Sequence, residues 1–468
     1  MSGRFGGETL QVEMQGIRPV PENERTHTSI FDNFTVWFSI DTTLANMAIG
    51  VLAIPVYNLG FWDSFACILV CNFIIVIPGA FFVTLGSRYG MRQMVLTRYS
   101  FGMIGTVIPA VANAIICLGW ACINLILAGQ LLSSVSEGKL PNYAGILLVA
   151  GCTLIVSLFG YHFVHKFERF AWLPLWVVFF CMLGVGAKYM SVPPIPSSDA
   201  TEAGNFLSFA AAVIGYNPGW ATCSADYSVK QPANTNRGAM FILAFLGAFI
   251  PSVLLQTLGV GLTTGLANNT AWASAYESND VGGLVGAALD PLHGFGKFLV
   301  VVLAVGIMSA NIPDGYSVGL SLQSTTSFFW RVPQWCFTTF AVVVYTVAAI
   351  FGAEHFSVLL NNFLLLLTYY TAPYVFVLIL EHNVFRKGVY PVEHWNTMSK
   401  LPVGLAAVAA VCVGFGGALI GMNQTWFVGP LAKLIGEYGG DLGFELSIVL
   451  SIVTYLVLRY FELQYFGR

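Results

Sequence analysis

Charge is what this chain has least of. Of its 468 residues only 9% are Asp, Glu, Lys or Arg, against roughly 25% in soluble domains, and that deficit excludes an ordinary water-soluble globule. With 56% of residues hydrophobic and 14% aromatic, and a mean hydropathy of +0.74, too little polar surface is left to cover a folded chain of this length in water. The solvent that remains is lipid. The 20 basic residues are scattered against 23 acidic ones for a net charge of -3. Nucleic acid is therefore excluded as a partner, because neutralising phosphates needs clustered Lys and Arg. Met1 to Ile30 is polar and mixed in charge, with no basic-then-apolar stretch ending in small residues, so a cleaved leader is not expected. The nine cysteines lie inside apolar runs or, for Cys223 and Cys336, at their ends. Their spacing suits neither a zinc site nor a disulfide framework, and they read as small buried hydrophobes. The seven histidines fall in loops, at span ends or in the tail. No nucleophile–base pair or metal cluster is available at membrane depth, so an enzyme is not expected. Nor does one long asymmetric chain offer the ring of charges or carbonyls that symmetric subunits give a channel.

What is present in abundance is long apolar runs. Stretches near the ~20 residues that a helix needs to cross the hydrocarbon core occur at 34–57, 61–86, 106–133, 143–160, 168–190, 206–224, 239–266, 297–322, 334–352, 356–380, 402–421 and 443–463. Backbone groups in lipid must be satisfied internally, so an all-α integral membrane fold of about twelve helices is expected. With the N-terminus in the cytoplasm, sixteen of the twenty Lys and Arg fall on the inner side, leaving Lys139, Lys188, Lys297 and Lys433 outside. That bias places both termini inside and supports the even span count. Arg88, Arg92 and Arg98, in an inner loop without an acid, suit topology and attraction to anionic lipid. The segment Met91 to Ser100 is expected to form a short surface helix.

Two spans do not behave like plain anchors. The first carries Asp41, Thr42, Thr43 and Asn46 at membrane depth, a face that lipid would not tolerate. The sixth is interrupted by Gly215-Tyr216-Asn217-Pro218-Gly219-Trp220, where proline removes a backbone donor and glycine relaxes helical geometry. Irregular helices in corresponding positions of two five-helix halves point to an inverted-repeat transporter with its site at the midplane. The expected division is a tail at 1–33, a first five-helix repeat at 34–190, a second at 206–380, two further helices at 402–463 and a short tail at 464–468.

A binding constellation follows. Trp120 and Asn124 lie one turn apart on the third span. The eighth span carries Asn311, then a second expected break at Pro313 followed by Asp314. A carboxamide pairs one donor with one acceptor and so matches the edge of adenine or cytosine. Indole faces stack on flat rings, each worth about 1–3 kcal/mol. Singly, a Trp or an Asn in a span is ordinarily a packing residue. Together, Trp120 and Trp220 as faces and Asn124 and Asn311 as edge readers describe a nucleobase clamp.

The stretches WFS (37–39), PVYNLGFWDSF (55–65), SRYGMRQMVLTRYSFG (87–102), GWACINLILAGQLL (119–132), GYNPGW (215–220) and ANIPDGYSVGLSLQ (310–323) together resemble the fungal purine–cytosine permease branch of the nucleobase cation symporter family. The resemblance covers the chain from about Gly16. It implies a five-plus-five inverted-repeat (LeuT-like) core with two C-terminal helices, proton-driven uptake at the plasma membrane, and cytosine, adenine, guanine or hypoxanthine as substrate. By matching motif, Trp120 and Asn124 correspond to the family's stacking and hydrogen-bonding pair, Trp220 to its stacking residue beside the sixth-helix break, and Asn311 to its substrate-binding amide. Asn46 falls near a small polar substrate-facing position. Asp41 stands where several relatives carry a neutral residue, and Ile312 where some carry a second amide, which leaves the substrate spectrum open.

A carboxylate at the midplane costs about 2.5–3.5 kcal/mol on insertion scales and is expected to be protonated, paired or functional. Asp41 and Asp314 are accordingly the proton-coupling residues expected, with capping of a broken helix the alternative for Asp314. No cofactor or metal is expected and the coupling ion should be a proton. The expected partners are a nucleobase and membrane lipid, and a homo-oligomer is compatible with the sequence. Alternatives on the same fold are a carrier for another flat heterocycle, such as pyridoxine, uracil or allantoin, and a sodium-coupled amino-acid carrier.

Overall fold

Apolar runs that can bond only to themselves close into helices, and helix is what each of the twelve expected spans contains. The structure is a computed structural model that describes residues 17–159, 172–192, 199–326 and 328–468. Arg4, Lys166 and Arg169, which contribute to the charge bias, lie outside the described residues. The first span is two helices, α1 (Asp32–Asp41) and α2 (Leu44–Val51). The next are α3 (Phe61–Tyr89), α4 (Gln93–Gly105), α5 (Val107–Val135), α6 (Asn142–Phe159) and α7 (Trp172–Gly186). The sixth span is again two, α8 (Ala200–Ile214) and α9 (Pro218–Ala221), followed by α10 (Arg237–Thr264). Then come α11 (Thr270–Leu289), α12 (His293–Gln323), α13 (Gln334–Gly352), α14 (Phe356–Leu380), α15 (Leu405–Gly421) and α16 (Gly443–Phe466). Among the described residues six continuous stretches, two of which run through consecutive helices, are long and apolar enough to cross a membrane.

Local chemistry explains the breaks. Thr42 leaves helical geometry and its hydroxyl donates back to the Phe38 carbonyl at 2.6 Å. Thr43, extended, then caps α2 by accepting from the Asn46 amide at 3.2 Å. In the sixth span Gly215, Tyr216 and Asn217 form a turn, and Pro218 opens α9, where its missing N–H costs nothing. Gly219 belongs to α9 rather than to the turn.

Three expectations need correction. Helix α12 runs through Pro313 without interruption: one backbone bond is lost, and the turns on either side keep theirs. The stretch Met91–Ser100, helical from Gln93, is buried throughout and is not a surface helix, because residues 386–404 fold over it. Arg98 accordingly does not face lipid. It donates to the Ser324 carbonyl at 2.9 Å and the Trp395 carbonyl at 3.2 Å, and lies over the Trp395 ring. Burial pulls its guanidinium down to about 10, still protonated near neutrality. Finally, residues 267–296, which lie between the expected spans 239–266 and 297–322, contain a helix of their own, α11. It bends at Asn279 and Asp280, and the bend is held by Asn279 to the Gln130 carbonyl at 2.8 Å and Asp280 to the Ser357 hydroxyl at 2.8 Å.

The helices group by packing. Helix α10 lies along α1, α2 and α3, α5 lies along α12, and α15 pairs with α16. Glycine sets the closest of these approaches. A Cβ on Gly50 would stand 1.8 Å from the Gln256 carbonyl oxygen, and one on Gly259 would stand 2.2 Å from that of Met47. At the face carrying the termini, Arg459 on α16 donates to both Glu381 oxygens at 3.0 and 2.9 Å. Arg386 also reaches Glu381 at 2.9 Å, and the Tyr455 hydroxyl donates to it at 2.8 Å. Glu462 accepts from the Gly404 and Ala406 amides at 2.9 and 2.8 Å, closing the start of α15.

Candidate functional site

The two breaks meet. The Thr43 hydroxyl approaches the Tyr216 hydroxyl at 3.5 Å, and Trp176 from α7 donates to the Thr42 hydroxyl at 3.0 Å. Behind them runs a buried chain of amides that an apolar span would not carry without partners. Gln256 donates to Asn46 Oδ1 at 2.9 Å, Asn72 donates to Gln256 Oε1 at 2.8 Å, and Asn217 donates to Asn72 Oδ1 at 3.1 Å. Ser252 lies within reach of both Asn217, at 3.3 Å, and Asn46, at 3.5 Å. The chain thus joins α2, α3, α10 and the turn before α9. Asn46, expected to face the substrate, has its amide taken up here, with its nitrogen also donating to the Asp41 carbonyl at 2.8 Å. Asn217 likewise supports the break from behind.

The aromatic faces gather in front. Trp120 meets Tyr216 edge-on at 5.3 Å and Phe363 edge-on at 5.3 Å. Trp220 meets Trp37 edge-on at 6.2 Å. Gly219 brings α9 against α5, since a Cβ there would lie 3.4 Å from Trp120 Nε1. Trp220 is half-buried, while Trp120 is buried.

Asn124 and Asn311 touch directly. Asn124 Nδ2 donates to Asn311 Oδ1 at 3.0 Å, and Asn311 Nδ2 donates to the Ala121 carbonyl at 3.2 Å. Both side chains are buried, and among the described residues Asn124 Oδ1 has no hydrogen-bond partner. Asp41 is fully buried at the end of α1, with the Tyr216 and Trp220 side chains facing its carboxyl. Asp314 is buried one turn beyond Asn311, within electrostatic reach of Cys117, Cys223 and Tyr345. On that side of the site Asn113 accepts from Thr222 in a short hydrogen bond and donates to Ser321 at 2.7 Å, so α5, α12 and the end of α9 are tied.

Trp120, Asn124, Trp220, Asn311 and Asp41 are therefore assembled around the breaks, and Asp314 sits below them. Asn72, Gln256, Ser252, Tyr216 and Asn113 complete the surroundings and were not singled out from sequence. The signal for Asn72 and Gln256 was available, an amide alone in an apolar run, but their partners lie 184 and 210 residues away along the chain. Among the described residues no group of three or more His, Cys, Asp or Glu could hold a metal ion. The arrangement can stack a flat ring and bond its edge.

Residues 19–443 match a family model described as permease for cytosine/purines, uracil, thiamine, allantoin. A purine-cytosine permease of Emericella nidulans is 39% identical, the match covering 98% of this chain and 90% of the relative. A vitamin B6 transporter of Saccharomyces cerevisiae is 30% identical over 98% of this chain and 89% of the relative. Among solved structures, an inward-facing conformation of Mhp1 superposes with a TM-score of 0.72 at 15% identity, covering 96% of this chain and 93% of that one. Mhp1 in a closed conformation with bromovinylhydantoin bound, described as a nucleobase-cation-symport-1 family transporter, gives 0.65 at 18% identity over 96% and 95%. These structures share the fold.

Proposed function

The chain belongs to the family of permeases for cytosine/purines, uracil, thiamine and allantoin, and from that premise we propose that it is a secondary active transporter importing purine bases or cytosine by proton symport. The observation that carries the reading is the contact of Asn124 with Asn311 one turn from Trp120, beside two helix breaks that meet. Trp120 and Trp220 stack the ring, Asn124 and Asn311 bond its edge, and Asn46 and Asn217 hold the breaks in place. Asp41 and Asp314 are the groups available to carry the coupled proton, since each is a buried carboxylate without a basic partner among the described ion pairs. No cofactor is required.

The grouping of helices supports alternating access as the mode of transport. The amide chain, the Asn46 bond to the Asp41 carbonyl and the Gly50 and Gly259 contacts bind α1, α2, α3, α10 and the turn before α9 into one body. Helices α5 and α12 belong to the other. Rocking between them opens the site to each side in turn, within two five-helix repeats at 34–190 and 206–380. We place the protein in the plasma membrane on its similarity to fungal permeases, with both termini in the cytoplasm on the excess of Lys and Arg at that face.

Uptake of labelled adenine, guanine, hypoxanthine and cytosine by cells lacking nucleobase transport, with and without a protonophore, tests the reading. Accumulation that the protonophore abolishes is expected. Absence of uptake for all four would defeat the substrate assignment, and uptake driven by a sodium gradient instead would defeat the coupling. A second reading, a carrier for another flat heterocycle, draws on the similarity to the vitamin B6 transporter, and pyridoxine belongs in the same panel. Competition by leucine would indicate an amino-acid carrier, which two indole faces suit poorly.

A further inference from the structure

We infer that residues 422–442, the loop joining α15 to α16, clasp the outer half of the sixth span, that this clasp must release before substrate enters from outside, and that Asp441 is the positioning residue that holds it. The inference rests on the transport reading above and adds a closing device that lies outside the binding site.

Helix α8 carries Thr201, Gly204 and Ser208 at spacings that share one face, and the loop is seated on all three. A Cβ on Gly204 would stand 2.7 Å from the Gly439 carbonyl oxygen, and one on Gly436 would stand 2.5 Å from Thr201 Cα. Backbone therefore meets backbone. Polar bonds fix the register. The Glu437 amide donates to the Thr201 hydroxyl at 3.3 Å, and the Asp441 amide and Asn423 Nδ2 donate to the Ser208 hydroxyl at 3.0 and 3.3 Å. The buried Asp441 carboxyl gathers the two ends of the loop, accepting from the Asn423 amide at 2.7 Å and the Gly443 amide at 2.9 Å. It also accepts from the Tyr369 hydroxyl on α14 in a short hydrogen bond. One side chain thus shapes the loop, ties it to α14 and presents it to α8.

The two sides of this contact belong to different groups of helices. Helix α8 runs directly into the turn whose Asn217 bonds Asn72, and it packs along α3, so it travels with the body built around the amide chain. The loop is continuous with α15 and α16, which pack on each other and on α14. Its tip exposes Trp426 and Phe427, rings that suit the lipid interface and hold the loop there. The contact lies at the face placed outside by the charge bias, and Thr368 extends it toward the site by donating to the Ala211 carbonyl at 3.0 Å. Rocking that opens the site outward parts α8 from the loop, and the bonds around Asp441 oppose it.

One test joins the two sides covalently. Thr201→Cys with Glu437→Cys places two thiols within disulfide reach at the outer face. Bridging them with copper phenanthroline in intact cells should abolish most uptake of whichever labelled base the protein accumulates, and dithiothreitol should restore it. Neither single variant should respond. A bridge that leaves uptake unchanged overturns the inference, as does a pair that never bridges, since the contact would then not form. The second test loosens the clasp. Ser208→Cys, buried beneath the loop, should react with an impermeant maleimide at least severalfold faster once Asp441→Ala is added, and Asp441→Asn, which keeps one acceptor oxygen, should fall between. Normalised to surface label, Asp441→Ala alone should lose maximal rate severalfold with no rise in KM, and a raised KM would assign Asp441 to substrate binding instead. Equal labelling rates with and without Asp441→Ala overturn the inference and leave the nucleobase reading intact. Should wild type take up no base, that reading fails and the labelling rates still decide the clasp.

Discussion

Asn311 is held at one end by a backbone carbonyl and at the other by Asn124, so its position is set before any substrate arrives. Removing it unpairs the buried Asn124 nitrogen. Asn311→Ala should raise the KM for uptake by roughly ten- to a hundredfold, a cost of about 1–3 kcal/mol, with the protein still reaching the cell surface. Kinetics of labelled-base uptake, normalised to surface label, check this, and an unchanged KM would remove Asn311 from the site. Trp120 packs on both Tyr216 and Phe363, and Trp120→Ala should cost affinity on the scale of one stacked base, about 1–3 kcal/mol. Most of these residues were legible beforehand, because a polar or indole side chain in an apolar span stands out by type. What could not be read was the use each side chain makes of its atoms. Asn46 and Asn311 look alike in sequence, yet Asn46 is spent on Gln256, Ser252 and the Asp41 carbonyl, whereas Asn311 leads through Asn124 to a bare oxygen.

Helices α2 and α10 approach through glycine, and the amide chain crosses between them and α3. Gly50→Ala would drive a methyl into the Gln256 carbonyl, so the helices must part and the amides with them. Overpacking of this kind costs about 1–3 kcal/mol, and a lower melting temperature of the purified protein is expected. Gln256→Leu removes the middle of the chain, leaves Asn46 Oδ1 unpaired and takes one of the two acceptors from the Asn72 nitrogen, which keeps the Ile68 carbonyl. Its maximal uptake rate should fall at least severalfold, and Gln256→Glu, which still accepts from Asn72, should recover part of it. Equal rates in wild type and Gln256→Leu would show that the two breaks do not need this link to move together. Breaks in the first and sixth spans could be read from Thr, Gly and Pro, which have local reasons to leave helical geometry. The expected break at Pro313 was misread for the converse reason: proline removes a single bond, and tertiary packing retains the helix. The burial of α4 depends on a segment about 290 residues distant, and no local pattern announces it.

For the whole molecule, hydrocarbon thickness is the strongest constraint, which is why span number and order could be read from apolar run length alone. Helix α11 was missed because its polar residues suit a loop as well as an outer helix, and only the partners Gln130 and Ser357 decide. The end of the chain is tied by Glu381 and Arg459, both buried. Arg459→Ala would leave a carboxylate with fewer compensating donors, a loss of about 3–5 kcal/mol, and should be seen as reduced surface expression. Pairing Arg459→Met with Glu381→Leu should restore much of it, and failure of that pair to do better than Arg459→Ala would mean that charge balance is not the cause. The same bond has a consequence for biogenesis. Glu381 is made 78 residues before Arg459, which at ribosomal speed is roughly 4–16 s. During that interval α14 has the nearby Arg386 but not its main partner, and an insertase or chaperone at the membrane has a defined moment at which to hold it.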